Sequence, residues 1–310
     1  MRNSLRVHAA LFFVALIYAA NYSLSKDVMP KYMGPLGIVT LRIVGAALFF
    51  AVIKYFVAPQ DKIIGRADNL RALACGVLGI GVNQLLFFSG LNLTSPISAS
   101  LLQTIAPIVV VIASAILLKE KITLTRVLGI GVGLVGAGLL ILGRNAQAAA
   151  YPHATLGNLF ILANATVFGI YLVLSAPLMR KYHAFTVLAR VFLVGAFIAV
   201  PFGWRDALTA DYAHFPLYIW LEIGYMVVFL TILAYLLNNW ALKYASPALL
   251  GVYIYPQPVL AVLIAVALGK DHLTWGKAGQ AALIFLGVWL VSWKRKPAAG
   301  PAESVDTVQN

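Results

Sequence analysis

Long apolar runs separated by short polar turns set the pattern of this chain. Runs of roughly 20 residues recur from one end to the other, the length a helix needs to cross about 30 Å of hydrocarbon. Ten spans are legible, at about 7–28, 35–57, 71–91, 95–118, 124–143, 156–178, 185–203, 216–242, 246–268 and 276–293. Turn signals divide them, among them Pro30 to Pro35, Pro59 to Asp68, Thr94-Ser95-Pro96, Arg205 to Pro216 and Ala245 to Pro247. No run alternates apolar and polar positions as a barrel strand does. A backbone facing lipid must close its own hydrogen bonds, so every span is predicted to be helical.

Two of these runs are copies. Ser95 to Glu120 reads SPISASLLQTIAPIVVVIASAILLKE, and Ser246 to Asp271, 151 positions on, reads SPALLGVYIYPQPVLAVLIAVALGKD. Ser95-Pro96 falls on Ser246-Pro247 and Pro107 on Pro258, with no gap. The first spans match as well, 150 positions apart: Ser25, Met29, Lys31 and Tyr32 fall on Ser175, Met179, Lys181 and Tyr182. Each half holds five spans, and an odd number turns the second copy upside down in the membrane. The expectation is an all-α integral membrane protein whose ten transmembrane helices form two five-helix inverted-topology repeats, at 1–145 and 154–296, followed by a disordered tail at 297–310. Paired, proline-broken spans in two inverted halves point to a transport site at the repeat interface.

Composition agrees with lipid as the solvent: 62% of the 310 residues are hydrophobic and 11% charged, against about 25% charged in a soluble domain. The net charge of +13 does not indicate nucleic acid, because the charges lie between spans and form no basic face. They do set orientation. With the N-terminus inside, the inner segments hold Arg2, Arg6, Lys54, Lys62, Arg66, Arg71, Lys119, Lys121, Arg126, Arg180, Lys181, Lys243, Lys294, Arg295 and Lys296, and the outer ones only Lys26, Lys31, Arg144, Arg205, Lys270 and Lys277. That bias places both termini in the cytoplasm. Cys75 is the single cysteine, so there is no disulfide framework.

The ordered set of motifs resembles the drug/metabolite transporter superfamily, in particular its EamA-type ten-helix permeases, from about Leu11 to Ser292. Span 1 ends IYAANYSLSK, with Asn21 and Lys26 where the family often has them; span 2 carries Leu41-Arg42. Leu91, Ser98-Ala99-Ser100, Pro107, Glu120, Gly129 and Gly136 follow, and Leu242, Pro258, Asp271 and Gly287 repeat the theme. Tyr18-Ala19 replaces the usual Trp-Gly pair, and Asp271 the usual Glu. The resemblance implies a plasma (inner) membrane carrier moving small metabolites such as amino acids, or drug-like solutes, often outward. It also implies a central cavity lined by spans 1, 3, 4, 6, 8 and 9, with spans 5 and 10 at the periphery.

Candidate substrate-binding residues are the polar and aromatic side chains of those spans, with one cation: Asn21, Tyr22, Arg42, Asn83, Gln84, Gln103, Asn164, Tyr171, Tyr235, Asn238, Tyr253 and Gln257. Each amide in hydrocarbon needs a partner, either another helix or a solute. Amides with aromatic rings suit a neutral or zwitterionic solute, since a ring face attracts an ammonium. Arg42 lies about 10 Å inside span 2, at 1.5 Å per residue, as a counter-charge for a carboxylate or as one half of an outer gate with Glu222. Glu222 is the one carboxylate inside a span, which favours a facilitator or exchanger over a proton-driven pump. Pro107 and Pro258 are candidate hinges, because each removes a helical hydrogen bond in midspan.

Other classes need features that are missing. An integral membrane enzyme wants a cluster of acids and histidines, but His8, His153, His183, His214 and His272 sit at span ends or in loops. A sugar-phosphate or nucleotide-sugar exchanger wants several cavity cations, and only Arg42, joined at most by Lys26, is at hand. Gly131-Val132-Gly133-Leu134-Val135-Gly136 matches the dinucleotide fingerprint, but it lies inside an apolar span with no acid following. Its glycines, with Gly129 and Gly138, are expected to form a smooth packing face. No cofactor or metal is expected. The expected partners are a small-molecule substrate and the bilayer, and the pattern allows a homodimer.

Overall fold

The computed structural model describes residues 2–118, 123–142 and 151–292, and among them no residue is in a strand. The helical segments are α1 (Arg2–Val28), α2 (Pro35–Val57), α3 (Arg66–Leu93), α4 (Pro96–Gln103 and Ala106–Leu118), α5 (Leu124–Leu142), α6 (Ala154–Lys181), α7 (Ala184–Thr209), α8 (Leu217–Tyr244), α9 (Pro247–Val252 and Pro256–Ala267) and α10 (Trp275–Ser292). Among the described residues nine helices are long and apolar enough to cross a membrane. The remaining one, α10, packs along α5. Large apolar side chains such as Leu48, Phe56, Phe197, Leu263 and Trp289 point outward. A belt of this kind marks a membrane interaction surface: this is a multi-pass membrane protein. The tail at 297–310 and Glu120 lie outside the described residues.

The sequence signals explain where the helices begin. Ser95 and Ser246 cap α4 and α9: their hydroxyls accept from Ser98 N–H and Leu249 N–H at 3.2 and 3.3 Å, each with a proline at the first helical position. Helix α3 starts at Arg66, about a turn earlier than the apolar run predicts. Asp68 stands in its first turn, where a carboxylate favours the helix dipole, and bonds Arg71, Lys181 and Tyr182.

Four interruptions shape the interior. Helix α4 breaks at Thr104-Ile105, ahead of Pro107, and α9 at Tyr253 to Tyr255, ahead of Pro256 and Pro258. The breaks face each other: a Cβ on Gly251 would stand 3.5 Å from Pro107 Cβ. Helices α3 and α8 each widen into a π-helical stretch, at Val77–Val82 and Met226–Leu233. Such turns release backbone groups from the regular ladder and gather at functional sites.

Helices α2 and α7 pack along each other, as do α5 and α10. The second pair explains part of the glycine run: a Cβ on Gly287 would lie 2.3 Å from Gly133 N. Gly133 and Gly136 therefore serve helix contact and follow no strand. Gly131 and Gly138 face open space, so the smooth face is narrower than the sequence predicts.

Candidate functional site

A cavity of about 60 Å³ lies in the middle of the bundle, lined by α1, α2, α3, α4, α6, α8 and α9. Nine of the twelve candidate residues line it: Asn21, Tyr22, Arg42, Asn83, Gln84, Gln103, Asn164, Tyr235 and Gln257. Helix α2 enters through Arg42, in addition to the six spans expected. Asn238 and Tyr253 line a smaller adjoining cavity with Leu11 and Leu250. Tyr171 lies outside both, its hydroxyl bonded to Asn239 and its ring packed against Gly79.

The widened turns hold the site together. The Met226 carbonyl, inside the π-helical stretch of α8, accepts from Thr231 Oγ1 at 2.7 Å and from Arg42 Nε at 3.3 Å. Arg42 Nε also reaches Thr231 Oγ1 at 2.8 Å, and its guanidinium lies 4.5 Å over the Phe88 ring. On the α3 side, Tyr235 hydroxyl donates to the Gly79 carbonyl at 3.1 Å and accepts from Gln84 Nε2 at 2.8 Å. Gln84 also donates to Asn83 Oδ1, and Asn164 Nδ2 donates to the Asn83 carbonyl at 2.8 Å. Sequence reasoning missed Thr231, whose signal is only a hydroxyl one turn before Tyr235. It also missed the lining residues Tyr18, Phe87, Phe88, Phe168 and Leu230.

Three cavity residues carry a polar atom with no protein hydrogen bond: Arg42 Nη1, Gln103 Oε1 and Asn164 Oδ1. All three side chains are buried. One donor and two acceptors of this kind are costly to leave unmet.

The Arg42–Glu222 gate does not form. Arg42 turns instead to Met226 and Thr231, because the widened turn offers it two acceptors, a released carbonyl and a hydroxyl. Glu222 faces Asp27 and Lys270. Lys270 pairs with Asp27 and donates to the Ser23 carbonyl, which fastens the end of α1 to the segment after α9. At the other end of α1, His8 Nδ1 meets Tyr253 hydroxyl at 2.6 Å. These contacts are about 28 Å apart along α1, and the cavity lies between them. Lys26 donates to the Asn92 carbonyl and lies over the Tyr151 ring; it does not line the cavity.

Beside this closure is a buried ion pair. Asp271 Oδ1 accepts from Lys277 Nζ at 3.1 Å, Asp271 Oδ2 accepts from Ile97 N–H at 3.0 Å, and Lys277 also donates to Ser95 Oγ. Burial alone would raise the Asp271 pKa, but Lys277 and the Ile97 N–H outweigh it and hold the carboxyl below its usual value.

An all-helical membrane bundle around a polar, partly unsatisfied cavity defines a protein that handles a small solute within the bilayer. The chain belongs to the EamA-like transporter family, whose model matches it twice, at residues 5–142 and 155–293. It is thus a transport protein and not an enzyme. It is 24% identical to the uncharacterized transporter YyaM of Bacillus subtilis, over 93% of this chain and 94% of that one. It is 24% identical to the protein WALLS ARE THIN 1 of Arabidopsis thaliana, over 95% and 85%. A probable terminal-alkyne amino-acid exporter of Streptantibioticus cattleyicolor is 26% identical over 76% of this chain and 79% of the other. A solved crystal structure superposes with a TM-score of 0.62 at 21% identity, over 92% of this chain and 97% of that one, which supports the fold.

Proposed function

We propose that this protein carries a small zwitterionic metabolite of the amino-acid type across the plasma membrane by alternating access, as an exporter or facilitator. The observation behind this reading is the trio of buried, unmatched atoms in one cavity. Arg42 Nη1 suits a carboxylate, since charge-assisted bonds to a guanidinium are the strong ones. Gln103 Oε1 and Asn164 Oδ1 are acceptors and suit an ammonium. Tyr22, Phe87 and Phe88 supply the apolar wall. A phosphorylated sugar fits less well, because Arg42 is the one cation among the lining residues. No carboxylate lines the cavity either, which favours a facilitator or exchanger over a proton pump. The outward direction rests on the exporter from Streptantibioticus cattleyicolor.

In this reading α10 completes ten spans and the chain is two inverted five-helix repeats, with both termini cytoplasmic. The Ser-Pro caps, the breaks near Pro107 and Pro258 and the π-helical stretches of α3 and α8 recur at corresponding positions and support it. The two contacts of α1 with α9 and its following turn are natural gates, and Pro107 and Pro258 natural hinges.

Counterflow of labelled neutral amino acids in proteoliposomes tests the proposal. Arg42→Gln should raise KM by roughly ten- to a hundredfold, the worth of a hydrogen bond to a charged group. Carboxamide analogues should lose the distinction between the two proteins. An unchanged KM for a free carboxylate would end the zwitterion reading.

A further inference from the structure

A second pocket, of about 400 Å³, opens between α2 and α7, away from the central cavity. Its rim is basic. Lys54 comes from the last turn of α2, Lys62 from the turn after it, and Arg190 from the second turn of α7. Lys54 is engaged by the Pro59 carbonyl at 3.1 Å. Lys62 and Arg190 make no hydrogen bond or ion pair among the described residues. Asp61 is the one acid on the rim, and its Oδ2 accepts from His183 N–H at 2.9 Å.

The floor is built, not merely open. Thr186 lines the pocket, is 6% exposed, and its hydroxyl has no hydrogen-bond partner. The turn that carries Lys62 is pinned by Tyr182 hydroxyl, which accepts from Ile64 N–H at 3.1 Å and shares its one proton between the Ile64 carbonyl at 2.9 Å and Asp68 Oδ2 at 2.8 Å. Ala47, Ala51 and Leu193 form a smooth apolar wall. Arg190 is exposed, on a helix that otherwise turns Leu193 and Phe197 toward lipid. It sits about 9 Å along α7 from its start. A guanidinium there is costly unless it reaches water or a counter-charge at the headgroup level.

We propose that this pocket seats the phosphate of an anionic phospholipid at the membrane–water boundary. Arg190 and Lys62 supply charge-assisted hydrogen bonds to the phosphate oxygens. The Thr186 hydroxyl donates to a phosphate or ester oxygen, and an acyl chain lies along Ala47, Ala51 and Leu193. Basic pockets between membrane helices recognise anionic headgroups in this way. A choline headgroup, which brings its own cation, is disfavoured beside three basic side chains.

Native mass spectrometry of the delipidated full chain tests this with three probes: phosphatidylglycerol, phosphatidylcholine and inorganic phosphate. The wild type should hold phosphatidylglycerol roughly tenfold more tightly than phosphatidylcholine. The double variant Arg190→Gln/Lys62→Gln should weaken phosphatidylglycerol by roughly ten- to thirtyfold. Without lipid it should melt at the wild-type temperature, since both side chains lie on the surface; Lys62→Gln alone, on the turn, gives a milder second reading. Equal retention of the two lipids by the wild type would overturn the proposal. So would unchanged phosphatidylglycerol affinity in both variants. Displacement of the lipid by millimolar inorganic phosphate would assign the site to a free anion instead and overturn the lipid reading.

Discussion

Helices α4 and α9 start on the same Ser-Pro cap and break after one or two turns, yet the side chains at the two breaks differ. Gln103 in α4 corresponds, 151 positions on, to Ile254 in α9, and Ala106 corresponds to Gln257. Gln103, Ile254 and Gln257 all line the cavity. The amide has thus moved by three residues, about 4.5 Å along a helix. The same holds elsewhere. Arg42 corresponds to Phe192, 150 positions on, while Gln84 and Tyr235, 151 apart, bond to each other. A repeated backbone supplies an enclosed space, and divergence at a few positions gives its wall one unmatched donor and two unmatched acceptors. Position in the bundle differs too. The first half of α4 is wholly buried, while Val252 of α9, the counterpart of Leu101, faces outward.

The largest expected effect comes from breaking the link between them. Asp271, just after α9, caps the start of α4 through Ile97 N–H and, with Lys277, holds Ser95. Asp271→Ala leaves Lys277 buried without its counter-charge, a change that costs about 3–5 kcal/mol, and should lower the melting temperature in detergent sharply. Replacing both partners by leucine should recover most of that loss. A single variant as stable as wild type would show that the pair does not join the segments. The same carboxyl sets a pH dependence. Its folded pKa is depressed, so its contribution is complete above the unfolded value of about 3.9 and disappears as pH falls through the folded one. Wild type should therefore soften below about pH 4, and the Asp271→Ala variant should not show that step.

The next effect concerns polarity. Gln103→Leu removes an acceptor that has no protein partner and should raise KM for a zwitterion roughly tenfold, with little change in melting temperature. Adding Ile254→Gln places an amide at the corresponding site of α9, but facing the cavity from another wall relative to Arg42. It should restore no more than about a twofold gain, by the same hydrogen-bond scale. Full recovery in the double variant would show that the two breaks are interchangeable and that the cavity lacks the polarity argued above.

How much of this was legible beforehand follows from what each signal reports. Apolar run length, Ser-Pro caps and midspan prolines are local, and together they placed α4, α9 and their breaks. The polar inventory of the spans was local too. It located nine cavity residues because an amide in hydrocarbon must face something. Partner choice is not local. The pairing of Arg42 with Glu222 rested on equal depth along two helices, and depth says nothing about rotation around the helix axis. The π-helical stretch at Met226–Leu233 decided the matter by offering Arg42 a released carbonyl and the Thr231 hydroxyl, and no residue in MVVFLTIL announces a widened turn. Tyr171 misled for a similar reason: it shares a span with Asn164, but its ring fills the space over Gly79. Asp271 was read as a variant of a family glutamate, while its partner Lys277 was counted only as an outer charge.

The smallest effect separates the two breaks by the prolines that specify them. In α4, Pro107 is the one proline at the interruption, whereas α9 has both Pro256, at the first position of its second part, and Pro258. Pro107→Ala restores an N–H that can donate to the Gln103 carbonyl four residues back and removes the ring clash. The break in α4 can then heal, and a healed helix is stabilised because proline disfavours a helix interior by about 3 kcal/mol. The expectation is a slightly higher melting temperature with a turnover several-fold lower and KM nearly unchanged, since the hinge acts on the conformational step. Pro258→Ala should do much less, because Pro256 still denies the helix its N–H and fixes the start of the second part. Pro256→Ala with Pro258→Ala should then match the α4 variant. Equal effects of Pro107→Ala and Pro258→Ala on turnover would mean that the breaks are held by packing, Gly251 against Pro107, and that the prolines merely tolerate them.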